Sequence, residues 1–500
     1  MDNTLVNSSN IIKAKWRFFA FRFISYFSFL LIPVYVQKGI ALSSLGLAFL
    51  MTFYILFIVA QWFLLGKEID HRLKIYFRVN SSIDRVVYRL FLGMFFFVLL
   101  FNLISFFDSK WIYNSYWVTW GLLGLFYSWP TRGKIIQESV SSNFGEFKFL
   151  DRFEKTLVGL ILLMFLFSIP ELPPKANIEM LKLYFDPLEK IGTPLWNFLT
   201  VNYYPFRSYP SLFRLAWSLH FYIVGLGMFL LVFYAFLRFF VARRLSLLGV
   251  FALVSSWSFS KTLTLNVEFS LITTYSLLWI WTLLWVSKSA TYRAGLFLGL
   301  VSYWGAIINH SFSLLIFFQL GLLYFYFLKD KTTWYKKQLF RYALFGIILT
   351  VSYLITHLDM LAPLHTLDLS FFKYVTKEIN LKGFFVLGVF GFLIAALKLN
   401  TSKLQVIKDF QIEGQSLSIV LVSFSFFAIF SLFWDDSLVL GFGTMWMLAF
   451  LSLLPIELIF QSLTRLRSRR NMIYVIYILI CLLDSHFEGR VKQFFKIFNG

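Results

Sequence analysis

The chain has 500 residues, of which 59% are hydrophobic, 21% aromatic and only 14% charged. That proportion of charge cannot wet the surface of a chain this long, which excludes a soluble globular protein and a disordered one. The net charge of +21 is carried by Lys and Arg scattered through short connectors rather than gathered in one patch, so it speaks for membrane topology and against nucleic-acid binding.

The chain opens with Lys13, Lys15, Arg17 and Arg22 around a long apolar run that lacks a small-residue cleavage pattern; it reads as a retained first helix over 18–36 rather than a signal peptide. Apolar runs at 44–66, 90–107 and 111–129 follow, and the four together make an N-terminal transmembrane module, 1–130, with outward turns too short for a site. A cytoplasmic linker, 131–155, carries the polar run Ser139 to Asn143. A fifth span from Thr156 leads into a long outward segment, Pro170 to Leu212, and a module of nine or so further helices extends over 156–500. Its stretches Leu212 to Leu237, Val267 to Val286 and Gly441 to Phe460 have the length that crosses about 30 Å of hydrocarbon. Met472 to Leu483 is short enough for a half-span or an interfacial segment. No period-2 pattern of barrel strands is present. The expected fold class is therefore an all-α polytopic membrane protein with about 13–15 transmembrane helices.

Cations alternate along this order. Lys67 to Arg89, Arg132 to Lys155, Arg238 to Arg244, Lys288 and Arg293, Lys329 to Arg341, Lys398 to Lys408 and Arg465 to Arg470 fall on one side, which the positive-inside rule makes cytoplasmic, with the N-terminus. A bacterial inner membrane is the expected location. Cys481 is the only cysteine, so no intramolecular disulfide or cysteine-based metal cluster is possible. The six histidines show no H-x-x-x-H or H-E-x-x-H pattern, which leaves zinc chemistry without support. The absence of a P-loop and of G-x-G-x-x-G argues against an ATP-driven pump or a dinucleotide enzyme.

Chemistry is best sought in the outward segment, which holds Glu171, Glu179, Asp186 and Glu189 among prolines and aromatics. Residues 176–185 have helical spacing, with Ile178, Leu181 and Phe185 on one side, as in a helix lying on the membrane surface. A carboxylate at such an edge, beside apolar walls, tends towards a raised pKa and can serve as a general base. Plainer readings stand beside this one. Glu171 could simply end a helix at the water interface, and Asp186 and Glu189 could act as caps. Arg207 and Arg214 could be snorkelling anchors, Lys261 and Glu268 a structural pair, and Trp196, Tyr203, Tyr204 and Tyr209 members of an interfacial belt.

A carboxylate just after a span, a surface helix, the element Gly192-Thr193-Pro194-Leu195-Trp196, and Ser211-Leu212-Phe213-Arg214-Leu215-Ala216-Trp217 opening a helix that ends at Arg238 and Arg243-Arg244 resemble the GT-C superfamily of integral-membrane glycosyltransferases. Its members include protein O-mannosyltransferases and lipid A aminoarabinose transferases. The likeness covers about Thr156 to Leu328. It implies a GT-C-like helical core whose first outward loop is 170–212, and transfer of a sugar from a polyprenyl-phosphate donor to a lipid, glycan or protein acceptor on the outer face. Glu171, or Asp186 as second choice, would then activate the acceptor. Arg207, Arg214 and Lys261 would face the lipid phosphate, Glu268 would take the polar place near the outer end of its span, and Trp196 and Tyr204 would stack on sugar rings. No cofactor is implied beyond the lipid-linked donor, and no metal ligands; metal dependence is not decided by the sequence. The family's paired acidic dipeptide is absent, Glu171 being followed by Leu172, and four extra helices precede the module. Two other classes compete: a transporter or lipid flippase using the bundle as a path, and a membrane-bound O-acyltransferase using His310.

Overall fold

A computed structural model describes residues 2–37, 44–73, 82–107, 109–129, 149–169, 202–206, 210–257, 259–260, 263, 267–288, 294–308, 312–356, 358, 382–400, 404–434, 437–462, 469–483 and 485–499. Among these no strand occurs. The helices in order are α1 (Asp2–Leu30), α2 (Ile32–Gln37), α3 (Ser44–Leu73), α4 (Ser82–Phe107), α5 (Ser109–Ser128), α6 (Arg152–Leu166), α7 (Pro210–His220), α8 (Gly227–Arg238) and α9 (Arg243–Ser255). They continue as α10 (Val267–Lys288), α11 (Ala294–Ile308), α12 (Phe312–Leu322), α13 (Thr333–Thr356), α14 (Lys382–Leu399), α15 (Gln405–Lys408), α16 (Gly414–Trp434), α17 (Ser437–Ser462), α18 (Arg470–Leu483) and α19 (Phe487–Asn499). A 3-10 turn at Tyr204–Phe206 precedes α7, and π-helical turns at Phe221–Leu226 and Leu323–Phe327 follow α7 and α12.

The protein is an all-α polytopic membrane protein. Five stretches among the described residues are long and apolar enough to cross a bilayer: Gly46–Leu73, Ser218–Arg238, Ser270–Lys288, Thr333–Thr356 and Met445–Ser462. Leu344, Phe345, Ile348 and Ile355 of α13 and Val386, Phe390 and Leu393 of α14 are exposed. Rows of large apolar side chains turned outward would drive aggregation in water, whereas lipid solvates them at no cost. Two expected boundaries move for local reasons. The first apolar run is divided between α1 and α2 at Leu31, where the following Pro33 removes a helical N–H and crowds the preceding turn. The fifth span begins at Arg152 rather than Thr156 because Asp151 caps it.

The chain divides into two compact units. The first comprises Met1–Leu73, Val79–Phe149 and Leu172–His220; the second comprises Lys74–Arg78, Leu150–Glu171 and Phe221–Gly500. This division differs from the boundaries at 130 and 155 drawn from the sequence, since Leu172–His220 groups with the N-terminal helices. The described reasons are the packing of α7 on α3 and a hydrogen bond of 2.7 Å from the Tyr54 hydroxyl to the Asn202 carbonyl.

Between apolar helices in a bilayer there is little hydrophobic drive, so close van der Waals packing must hold them together. In the first unit, Gly66 of α3 and Gly93 of α4 lie against each other's backbones; a Cβ on Gly66 would strike the Arg89 carbonyl and one on Gly93 the Trp62 carbonyl. The second unit repeats the device. Gly295 and Gly299 of α11 meet Leu339, Ala343 and Gly346 of α13, and Gly391 of α14 meets the backbone of Leu451 in α17.

Candidate functional site

The second unit contains α6, the helix that precedes the acidic segment of the sequence. The start of α6 is built by a reciprocal cap: the Asp151 carboxylate accepts from the Glu154 N–H at 2.8 Å, and the Glu154 carboxylate accepts from the Asp151 N–H at 3.0 Å. An uninterrupted apolar run, Leu157 to Leu166, then carries the helix for about 15 Å. Pro170 in the sequence marks where it must end.

α9 packs alongside α6 and runs parallel to it, because their N-terminal ends are tied together. Arg243 donates from Nε and Nη2 to the two oxygens of Glu154 at 2.8 and 2.7 Å, a bidentate fork on a buried carboxylate, while Arg244 pairs with the half-exposed Asp151. The Asp151 carboxyl is held below the usual carboxylate range, first by the Glu154 backbone N–H and then by the Arg244 guanidinium. The alternation of charges along the sequence assigns Arg243-Arg244 to topology; in the fold they also find carboxylate partners.

Parallel helices bring two C-terminal ends to the same level, and there the chain places a third element. α18 and α19 are bent by 61° relative to one another, with His486 between them at φ 46°. The bend brings Arg490, fully buried, against the ends of α6 and α9. Its Nη1 donates to the Ser168 hydroxyl at 2.8 Å, the Val254 carbonyl at 2.9 Å and, at the limit of 3.5 Å, the Met164 carbonyl; its Nη2 donates to the Ser255 carbonyl at 2.7 Å. The guanidinium also stands 5.3 Å from the Trp257 ring. Ser168 in turn donates to the Met164 carbonyl at 2.7 Å. No carboxylate among the described residues pairs with Arg490, and its Nε has no partner.

Electrostatics explains why such a cation is tolerated. Each helix C-terminus carries roughly half a negative charge, so two parallel ends together offset about one positive charge. With Nη1 and Nη2 both committed, Arg490 works as a clamp on two helix ends and is poorly placed to grip a phosphate with its fork. Phe487 and Phe494 complete the clamp by meeting Phe167 edge-on, with centroids 5.5 and 5.2 Å away. In the π-helical turn, Tyr222 donates to the Phe165 carbonyl and stacks on the Phe165 ring at 4.5 Å.

The first unit holds a separate polar cluster. His220, at the end of α7, is buried, its Nδ1 hydrogen-bonded to the hydroxyl of buried Tyr203 and its ring edge-on to Trp62. Nearby in the same unit the hydroxyls of Tyr54 and Tyr116 bond to each other.

The expected site residues fare unevenly. Glu171, Asp186, Trp196, Arg207, Lys261 and His310 lie outside the described residues. Arg214 falls on α7, Glu268 on α10 and Tyr204 on the 3-10 turn, with only their backbones described. The shared cavity expected between Glu171 and Arg207, Arg214 or Lys261 therefore also lies outside what is described. A small hollow of about 290 Å³, open mouth included, does lie between α10, α12 and α16, lined by aromatics with Gln319 and Ser423 and by no charged residue. Among the described residues no three His, Cys, Asp or Glu side chains come together as a metal site would require.

Two residues passed over in the sequence carry the described geometry. Arg490 had a signal: it sits with Phe487, Val491 and Phe494 on one helical face, a cation where an apolar residue belongs. His220 had another, as an ionisable side chain inside an apolar span. No protein-family model, curated protein or solved structure matches this chain.

Proposed function

We propose that the protein is a GT-C-type membrane glycosyltransferase that passes a sugar from a polyprenyl-phosphate donor to an acceptor at the extracytoplasmic face of a bacterial inner membrane. Glu171 is the general base: it takes the proton of the acceptor hydroxyl as that oxygen attacks the anomeric carbon, and the lipid phosphate leaves with the bonding electrons. Asp186 is the second candidate for the base. Arg207, Arg214 and Lys261 are the cations assigned to the departing phosphate, and Trp196 and Tyr204 are the stacking surfaces for the sugar.

The observation that supports the reading best is the root of the acidic segment. Arg490 of the C-terminal helix bonds both Ser168, just past α6, and the Val254 carbonyl of α9, and Phe487 meets Phe167, so the residues that precede Glu171 in the sequence are held at one end of the bundle. The opposite ends carry Arg243, Arg244 and Lys288, which the positive-inside rule makes cytoplasmic. That polarity agrees with a base on the outer side.

The direct test is Glu171→Gln, with Asp186→Asn beside it, assayed in membranes for transfer from a radiolabelled polyprenyl-phosphate sugar. Loss of a general base lowers the rate by about 10²–10⁴-fold; transfer unchanged in both variants removes the proposed base. A second reading, O-acyl transfer, draws on the buried His220 bonded to Tyr203 and on His310 in the sequence. Loss of acyl transfer in His220→Ala or His310→Ala, with both carboxylate variants at full activity, would favour it.

A further inference from the structure

We infer that the protein binds a phosphate group at the cytoplasmic ends of α9, α17 and α18, between Arg470, Arg244 and the hydroxyl of Tyr474. All three residues belong to the second unit, and the site does not depend on the glycosyl-transfer reading. It begins at the first turn of α18, which carries Arg470 directly after Arg469 and holds no acidic residue. The positive end of a helix dipole disfavours cations, and the first N–H groups there have no partner within the helix. α9 packs against α18 and also opens on two arginines, Arg243 and Arg244, with no side-chain cap and no acidic residue in its first turn. Neighbouring helix starts loaded with cations are relieved by an anion.

The carboxylates at this end are already engaged. Asp151 accepts from the Glu154 N–H and pairs with Arg244, Glu154 is held by both arms of Arg243, and Glu457 accepts from the Gln461 amide at 3.0 Å. Arg470 pairs with none of them: its guanidinium stands 5.4 Å from the Phe460 ring, and its buried Nε has no partner among the described residues. Arg244 gives Nε and Nη2 to Asp151, which leaves Nη1 for a second anion. Tyr474, one turn beyond Arg470, is 4% exposed, with its ring packed on Phe460 and Phe153. A buried phenol ordinarily finds a hydrogen-bond partner, yet among the described residues the Tyr474 hydroxyl has none. The charges that act on it most strongly are Arg470 and Arg244, ahead of Glu457 and Asp151. Guanidinium forks, a phenolic O–H and a helix N-terminus together suit the several oxygens of a phosphate. The opposite face of α18 exposes Met472, Val475, Ile476 and Leu479, which sets the site at the lipid boundary. A phospholipid headgroup and a dissolved phosphate share this chemistry.

The test uses the full-length protein in a non-ionic detergent at fixed ionic strength. Binding of radiolabelled phosphatidylglycerol and of radiolabelled inorganic phosphate is measured separately for the wild type and for Arg470→Ala, Arg470→Lys and Tyr474→Phe. Lys331→Ala, which removes an exposed cation on the same side of the membrane, is the control. Saturable binding of at least one probe by the wild type is expected. Arg470→Ala should weaken it about tenfold or more and Tyr474→Phe about fivefold, with Arg470→Lys between wild type and Arg470→Ala and Lys331→Ala unchanged. Should Arg470→Ala fail to fold, Tyr474→Phe, which removes one hydroxyl and keeps the ring, decides the matter. Phosphatidylglycerol binding that excess inorganic phosphate does not displace identifies a headgroup as the source, and saturable binding of inorganic phosphate itself identifies a dissolved one. No saturable binding of either probe overturns the inference. So does binding that is unchanged in Arg470→Ala and Tyr474→Phe, or that Lys331→Ala weakens as much as they do.

Discussion

Glu154 and Asp151 stand three residues apart at the head of α6, yet their arginine partners should differ in what they contribute. The Glu154 side chain is 3% exposed and held by both arms of Arg243, whereas Asp151 is 37% exposed and faces Arg244. Removing one member of a buried pair strands a charge, while an exposed pair is largely screened. Arg243→Ala is therefore expected to destabilise by about 2 kcal/mol and Arg244→Ala by less than about 1 kcal/mol, read from thermal unfolding of the detergent-solubilised protein. The pH dependence has a definite sign. The Asp151 carboxyl is lowered by the Glu154 N–H and Arg244; for Glu413, burial pushes upward but the bonds from Lys288 and Ser416 prevail and lower it. A carboxyl lowered on folding stabilises above its unfolded pKa and loses that contribution as pH falls through the folded value. Unfolding temperature should thus be flat near neutrality and fall below about pH 4; a fall that begins above pH 6 would contradict this. These pairings were not legible in the sequence, where Arg243-Arg244 reads as a topology marker, because the partners lie about 90 residues away and only the parallel packing of α6 and α9 brings them together.

At the scale of elements, most helices could be read from the length and apolarity of each run, and α3, α5, α6 and α10 fall close to where those runs lie. Breaks inside apolar runs were less legible. The π-helical turns at Phe221–Leu226 and Leu323–Phe327 lie in sequences as apolar as the helices around them, and hydropathy does not distinguish a wider turn. The short run ending at Leu483 was readable as less than a full span, but the bend that returns Arg490 to α6 depends on packing far along the chain. Glycine spacing, by contrast, is a sequence signal with a clear packing meaning. Gly299→Val or Gly346→Val should separate α11 from α13 and cost about 3 kcal/mol or more, because the obstructing atoms are backbone and cannot turn aside. Gly321→Ala, with open space around it, should stay within about 1 kcal/mol and, if anything, stabilise its helix. Equal losses at Gly299 and Gly321 would contradict the close-packing argument.

For the whole molecule, composition alone indicated the membrane, and the exposed apolar rows of α13 and α14 agree with it. The division into units did not follow loop length: Leu172–His220 groups with the N-terminal helices, a contact-driven partition that hydropathy cannot register. The alternation of cations predicts one orientation for the chain. Reporter fusions at 331 should report the cytoplasm and fusions within 170–212 the exterior; the opposite pattern would place Glu171 on the wrong face for the proposed chemistry. The most decisive single measurement is sugar transfer from a radiolabelled polyprenyl-phosphate donor by the wild-type chain and by Glu171→Gln at equal protein level. Transfer by the wild type that drops at least about 10²-fold in the variant is the predicted result. Equal transfer by both, or none by the wild type across a range of such donors, would contradict a carboxylate-driven glycosyl transfer at this membrane edge.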